Sequence, residues 1–555
     1  MDLRSSLVIK VYFIILLLLS SNFLNAFVDT KNANYSNTWT DIIVPGSGYD
    51  LRVMRTYNSR SLYKGLFGFG WCSDFETRVV NMPDGTIKLI ECGGGMELVY
   101  STKALGAKDL EAQVASIITE SKKKNKQSEG YYQSLTQNLK KDINLRLRLS
   151  AELGLNAKIK EGITYFANGK EVDTITFSKD SYTRRVYDGS SQKFDKEGRL
   201  TYMYDKNGNF LKLDYEKGKL REVSDNNNRR LLFKYNTNQQ IATIIGPNNI
   251  TVEYKFANLD HLSWVNNAWG NINSYEYDES HNMTKAIFPD KTTVQVTYDR
   301  SKDWVIGLKD RSNCTDKYSY EVAKDDPKNH YWSTVKRTCG KEVSDSKFEF
   351  IHKVRSDGVT YLARTITTVN NVLTDITYHE IFGKPIHIKR NADITAFEYF
   401  ANGLLKAKSN NVMKLAYEYD KENNKVSKVR SVFFDPKGKK IAEKASEFKY
   451  DKKNNLIFAK NTDGQKINLT YDLKGRIDTI EDQAKKLVKI SYDDKFGKPA
   501  LVTRPNLGTI KISYKQNGEI DKAESPDGPK VAIQVASAFN NLLDIIAPAS
   551  SEIYN

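Results

Sequence analysis

The stretch Lys466-Ile467-Asn468-Leu469-Thr470-Tyr471-Asp472-Leu473-Lys474-Gly475-Arg476-Ile477-Asp478-Thr479-Ile480 decides how this chain folds. Its first half alternates apolar and polar residues, the two-residue period of a half-buried strand. Asp472 to Gly475 then supplies a turn: the Asp side chain can bond nearby backbone, and Gly accepts a positive φ. Arg476 to Ile480 alternates again and returns as a second strand. One such β-hairpin cannot bury its apolar face alone, so the unit must belong to a larger sheet.

The unit recurs. Tyr450-Asp451, Tyr471-Asp472, Tyr492-Asp493 and Tyr514 follow one another at intervals of 21, 21 and 22 residues. The same pattern appears at Tyr204-Asp205, Tyr277-Asp278, Tyr298-Asp299, Tyr399 and Tyr419-Asp420, and Tyr215, Tyr235 and Tyr254 form a further run. A fixed period of this length marks a repeat architecture. The expected fold is mainly β: an extended array of hairpins forming a curled sheet or shell. Each Tyr-Asp pair has a structural role, a ring packed on the sheet and a carboxylate fixing a turn. Aspartates repeated so uniformly are poor catalytic candidates.

These hairpins resemble the YD repeats of RHS proteins, teneurins and the C components of Tc toxin complexes. An opening segment strengthens the resemblance. It runs Asp41-Ile42-Ile43-Val44-Pro45-Gly46-Ser47-Gly48-Tyr49-Asp50-Leu51, Arg55-Thr56-Tyr57-Asn58-Ser59-Arg60 and Gly65-Leu66-Phe67-Gly68-Phe69-Gly70-Trp71. The stretch 65–71 lacks the following Lys-Ser/Thr of a phosphate loop and reads as a turn with aromatic packing. The resemblance implies a strand spiral able to wrap into a hollow shell. In toxin-bearing relatives an aspartyl self-protease ends the repeat core, marked by Asp-Pro-x-Gly-Leu. Here Asp435-Pro436-Lys437-Gly438 lies inside the repeats without that continuation, and a 25-residue tail after the last repeat is expected to hold no toxin domain.

Composition sets the wider frame. The 555 residues carry 84 Lys+Arg against 68 Asp+Glu, formally +16, with 39% hydrophobic and 11% aromatic residues. That excludes a disordered chain and favours strands. Residues 1–26 combine Arg4 and Lys10 with a short apolar run and Ala26, the pattern of a cleavable signal peptide. The expectation is export, to the periplasm or beyond the cell, with no membrane-spanning segment after cleavage. In an oxidising compartment Cys72 with Cys92 and Cys314 with Cys339 are reasonable disulfides, while other pairings of the four cysteines stay open.

Two pieces depart from the repeat. Residues 101–160 carry 12 basic and six acidic groups and two helical patterns, Leu110/Val114/Ile117/Ile118 and Leu135/Leu139/Ile143/Leu147. They read as an inserted helical hairpin, although the alternation of Ile143, Leu145, Leu147 and Leu149 also suits a strand. Lys122, Lys123, Lys124 and Lys126 between the two patterns are a candidate contact for an anionic partner. The tail 531–555 places Val535, Phe539, Leu542, Leu543 and Ile546 on one face of an amphipathic helix, expected to cap the sheet. The expected organisation is therefore 1–26 signal, 27–100 opening β segment, 101–160 insertion, 161–530 repeats and 531–555 tail.

Chemistry is sparse. The six histidines, 261, 281, 330, 352, 379 and 387, show no metal-ligand spacing, and no nucleophile elbow or phosphate loop is present. The sequence reads as a non-enzymatic binding scaffold without a cofactor. Strands mixing Tyr and Phe with Lys, Asn and Asp suit a glycan, an envelope surface or a protein partner. Nucleic acid is not expected as a partner, since export and the lack of a known module argue against it. The other reading is a shell that carries or shields a separately encoded toxin or effector.

Overall fold

A computed structural model describes residues 27–546, apart from 93–95, 103–105, 258–259, 516–518, 526–530 and scattered positions between 532 and 544. The signal-like residues 1–26 and the tail 547–555 lie outside the described residues. Thirty-six strands form one continuous antiparallel sheet in which each strand pairs with its neighbour in sequence. The ladder runs from Arg78–Asn81 to Ile520–Glu524, interrupted in sequence only by the helical insertion between Glu97–Ser101 and Thr164–Ala167. A lone bridge between Arg78 and Arg199 folds the start of the strip onto itself. No ladder joins its two ends among the described residues, so it is a wound strip and not a barrel.

The repeat explains its own period. In the unit quoted above, strand Lys466–Tyr471 pairs with Ile477–Asp482, and the register slips by one residue at Tyr471, which faces Ile477. The same slip falls at Tyr215, Tyr235, Tyr277, Tyr298, Tyr399, Tyr419, Tyr450, Tyr492 and Tyr514. A bulge at this place leaves an extra residue before the turn and increases the local twist. The Asp that follows accepts from the turn backbone: Asp472 Oδ1 takes the N–H groups of Lys474 (3.0 Å) and Arg476 (2.9 Å). Asp205, Asp278 and Asp451 repeat the arrangement.

Each bulged tyrosine also reaches backwards. Tyr471 Oη donates to Leu456 O at 2.7 Å, Tyr492 to Ile477 O at 2.7 Å and Tyr514 to Pro499 O at 2.7 Å. Tyr215, Tyr235, Tyr277, Tyr298 and Tyr320 make the same bond to a carbonyl 15 residues earlier. Ile477 therefore pairs across the hairpin with Tyr471 and accepts from Tyr492 of the next hairpin. Ring size and strand length together fix the spacing, and a net hydrogen bond of about 0.5–1.5 kcal/mol is gained per unit.

The strip then winds. Lys206 Nζ donates to Asn454 O at 3.0 Å, and Asn455 Nδ2 to Asn207 Oδ1 at 3.0 Å, each across 248 residues. Lys425 Nζ donates to Tyr187 O at 2.9 Å across 238 residues, and Asn209 Nδ2 to Lys474 O at 3.1 Å across 265. Turns of an early winding thus meet turns of a later one in matching order. Two fillers cover the inner face. A small sheet, Phe27–Asp29, Asn34–Val44, Leu51–Asn58 and Trp71–Cys72, shares a buried core with repeats from Tyr165 to Leu308. Val531, Val535, Leu542 and Ile545, at helical positions near the C-terminus, share a second core with repeats from Phe397 to Val502.

Some expectations change here. The insertion contains three helices, α1 Ala107–Lys124, α2 Glu129–Lys141 and α3 Ile143–Leu153, where a two-helix hairpin was expected. Asp142 breaks the second pattern: its Oδ1 accepts from Asn144 N (3.0 Å) and Leu145 N (3.2 Å) and starts a new helix. The face that packs inward is consequently Leu145, Leu149 and Leu153, rather than Ile143 and Leu147. In the terminal helix Leu543 is 50% exposed and points away from the core, whose place Ile545 takes. Phe539 lies outside the described residues. The opening segment 27–100 spans both sheets: its strands Arg78–Asn81, Ile87–Ile90 and Glu97–Ser101 begin the long strip.

Candidate functional site

The opening motif is the seam by which the small sheet locks into the first winding. Arg55, 0% exposed, pairs with buried Asp41 (Nη2 to Oδ1, 2.8 Å) and donates to Tyr275 Oη at 3.2 Å. Tyr254 Oη donates to the same Asp41 carboxylate at 2.8 Å, and the Trp71 ring lies 4.8 Å from the guanidinium. Burial alone would lower the Arg55 pKa; Asp41 and Tyr275 outweigh it and hold the group charged. Tyr57 Oη accepts from Met283 N at 2.8 Å, and Trp71 Nε1 donates to the repeat tyrosine Tyr277 at 2.9 Å. Ser59 Oγ accepts from Tyr35 N at 3.0 Å, while Asn58 N donates to Gly70 O at 2.9 Å.

The glycines of that motif mark close approaches. Gly46 lies under the Arg229 guanidinium, which donates to Val44 O (3.1 Å), Pro45 O and Tyr49 O (3.0 Å), so a Cβ at 46 would collide with it. Gly68, at φ +97°, leaves room for Asp260 O, which a Cβ would meet at 2.1 Å. Gly70 turns at φ +75° against the Tyr57 ring. Cys72 and Cys92 are bonded, tying the small sheet to the strip (Cα–Cα 5.4 Å), and Cys314–Cys339 clamps neighbouring strands (4.4 Å).

Beside this seam, under the loop from Tyr63 to Gly68, opens a cavity of about 480 Å³. Its walls come from the loop and short helical turn beside the small sheet (Tyr63, Glu76), from the first strand of the strip (Arg78) and from successive repeats (Arg199, Lys219, Gln239). Glu76 accepts from Leu66 N, Ser73 N (2.9 Å) and Tyr63 Oη (3.2 Å), which fixes the loop. Burial pushes the Glu76 pKa up to about 7 against these bonds. Three cations lie over three tyrosine rings: Arg78 on Tyr63 (4.6 Å), Arg199 on Tyr215 (5.1 Å) and Lys219 on Tyr235 (4.9 Å). Arg199 is also paired with Asp195 at 2.7 Å, and Lys219 donates to Gln239 O. Among the described residues Arg78 has no ion pair of this kind, although it interacts electrostatically with Glu76, and its Nε is buried without a hydrogen bond.

The lysine cluster is less free than its sequence suggests. Lys122 pairs with Glu129 (2.9 Å), Lys123 with Glu120 (2.6 Å), and Lys124 Nζ donates to Glu152 O (3.0 Å), so three of the four charges serve the insertion itself. Lys126 is exposed. Arg146, buried, ties the insertion to the strip by donating to Leu139 O (2.7 Å) and Asp357 O. One grouping was missed from sequence: His261 Nε2 and His281 Nδ1 lie 2.7 Å apart. Their separation of 20 residues is close to one repeat, which was the available signal. Among the described residues no cluster of three or more His, Cys, Asp or Glu could hold a metal ion. No helix among them is long and apolar enough to cross a membrane.

Fold and seam together define a wound strip of β-hairpins with a filler at each end. Residues 26–100 match the model of a domain of unknown function (DUF6531). Among solved structures the chain is similar to "Crystal Structure of TcdB2-TccC3-TEV", at 11% identity and TM-score 0.42, over 93% of this chain and 29% of that one. It is also similar to "Structure of Photorhabdus luminescens Tc holotoxin pore, Mutation TccC3-D651A", at 10% identity and TM-score 0.28, over 87% and 31%. Scores this low carry no argument about this chain, which spans under a third of either structure's length. No curated protein matches it.

Proposed function

We propose that this chain is an exported, non-enzymatic scaffold of the RHS/YD type that presents a fixed wound surface to glycan or cell-surface ligands. The observation that carries this reading is the matched turn-to-turn bonding between windings, Lys206 to Asn454 and Asn455 to Asn207, which gives the strip one shape. A binding surface needs such rigidity, since disorder in the free state costs affinity. The inner faces of both windings are occupied by the chain's own segments, which favours a scaffold over a container. The opening motif and Tyr-Asp period, with their resemblance to RHS proteins, support the same class.

One observation favours the carrier reading. Between the two cores three long strands, from His330–Cys339 to Thr360–Val369, contribute to neither core cluster, and Val343, Val354 and Val369 are exposed there. The test uses the secreted full-length protein. Retention on peptidoglycan, lipopolysaccharide or a glycan array, with no co-purifying polypeptide, supports the scaffold. A stoichiometric polypeptide, protected from protease while the shell is intact, replaces it with the carrier. Cleavage of a glycan, abolished by one Asp or Glu substitution that leaves the fold intact, would return an enzyme.

A further inference from the structure

We propose that the cavity under the Tyr63–Gly68 loop binds the carboxylate of an acidic sugar, with Arg78 as the partner of that carboxylate. The inference rests on the glycan-binding reading and assigns it a place. Arg78 is half-buried with a buried Nε that no acceptor meets, in a chain where Arg55, Arg184, Arg199, Arg229 and Arg476 are all paired with carboxylates. That Nε is shut off from solvent, so a ligand oxyanion would be met by the terminal nitrogens of the guanidinium, in charge-assisted bonds roughly twice as strong as neutral ones. The guanidinium carbon lies 4.6 Å from the centre of the Tyr63 ring, a contact that restrains a group able to meet a carboxylate at two points.

The remaining lining argues for a hydroxylated ring behind the carboxylate. The Phe256 ring and the Tyr63 ring offer flat apolar surface, while Asn238 and Gln239 bring neutral groups from a repeat turn. Gly65 and Gly218 bring bare backbone to the wall. Amides and ring faces suit hydroxyls and C–H faces; a peptide carboxylate would ask instead for an open strand edge beside it. Lys64 is paired with Asp260 and Arg199 with Asp195, which leaves Arg78 and Lys219 as the lining cations without an ion pair among the described residues, beside the buried carboxyl of Glu76. A volume of about 480 Å³ falls in the range of small-molecule pockets, roughly 300–1,000 Å³.

The test is titration of the full-length protein with glucuronate, glucose, acetate and inorganic phosphate, followed by calorimetry or ligand-observed NMR. Glucuronate should bind, and glucose, acetate and phosphate should each bind about tenfold more weakly or worse. Arg78→Gln should weaken glucuronate at least about tenfold. Asn238→Trp, on an exposed turn at the cavity wall, should also weaken it without touching Arg78. Thermal melting checks that both variants fold. Equal binding of phosphate reduces the site to a simple anion site, and equal binding of glucose removes the role of Arg78; either overturns the proposal. So does glucuronate affinity unchanged within about twofold in both variants. If wild type and both variants stay equally retained on glycan surfaces while glucuronate binding is lost or absent, the scaffold reading survives and this site fails. Loss of all glycan retention by wild type sinks the broader reading instead.

Discussion

The two windings are built from the same hairpin and filled in opposite ways. The first is locked to the small sheet by directional groups: a buried Arg55–Asp41 pair, Tyr254, Tyr275, Met283 N–H and Trp71 to Tyr277. The second is covered by a helix whose described core residues, Val531, Val535, Leu542 and Ile545, are all aliphatic. Hydrogen-bonded burial tolerates one arrangement, whereas aliphatic burial tolerates sliding and volume-conserving exchange. The first winding should therefore have a unique register against its filler and the second a permissive one. All six tryptophans lie between positions 39 and 332, so tryptophan fluorescence reports the first winding and the middle strands while far-UV dichroism reports the whole strip.

The harshest way to break this contrast is Arg55→Met, which strands Asp41 in the core. It should cost about 3–5 kcal/mol and make fluorescence-detected unfolding precede the dichroism change in a denaturant titration. Coincident transitions would show that the windings share one cooperative unit. Ile545→Ala should cost about 2–4 kcal/mol, with the order of the two signals reversed, while Ile545→Leu should cost little. Tyr471→Phe, which leaves Leu456 O without its donor, should cost about 1 kcal/mol and leave fluorescence unmoved. Leu543→Ser, on the solvent side, should be nearly neutral by the same titration.

The smallest effect is set by pH. Burial first, and then His281, holds the His261 pKa below its ordinary 6.5. The group is stacked on Tyr277 at 4.5 Å, with Asp260 and Asp278 raising its pKa more weakly. The unfolded imidazole takes a proton that the folded one resists, so this stability is present above the unfolded pKa and lost as pH falls below it. Glu76 acts in the other direction: with a folded pKa near 7, its contribution is fullest below its ordinary 4.5 and is lost as pH rises through 7. Melting temperatures of His261→Phe and the parent should converge as the pH falls from about 7 to about 5. Parallel curves would remove the histidine pair from the seam.

The hairpins were legible because period and turn chemistry are local: Tyr471, Asp472 and Gly475 announce strand, Asx turn and positive φ within five residues. The partner of Tyr471 was not legible, since Leu456 O is a backbone acceptor without a side-chain signature. Asp142 was a readable helix start, overlooked because Leu139, Ile143 and Leu147 continued a helical stripe through it. Of the candidate site, Trp71 and Arg55 stood out by motif, but Arg78 did not. Arg199 and Arg476 take their carboxylates, Asp195 and Asp472, from the same turn, whereas the cavity around Arg78 is assembled from segments far apart in sequence.

The seam between windings has a consequence for length. Lys206 meets Asn454 and Asn207 meets Asn455 because the intervening chain holds a set number of hairpins. Adding or removing a single 21-residue unit would leave every hairpin intact, yet move each seam residue one place along its neighbour. Lys474, which bonds Ser47 and Asn227, would then face other turns. The strip thus counts its own repeats, and between residues 206 and 454 whole-unit insertions, usually the gentlest change in a repeat protein, should be the ones it refuses.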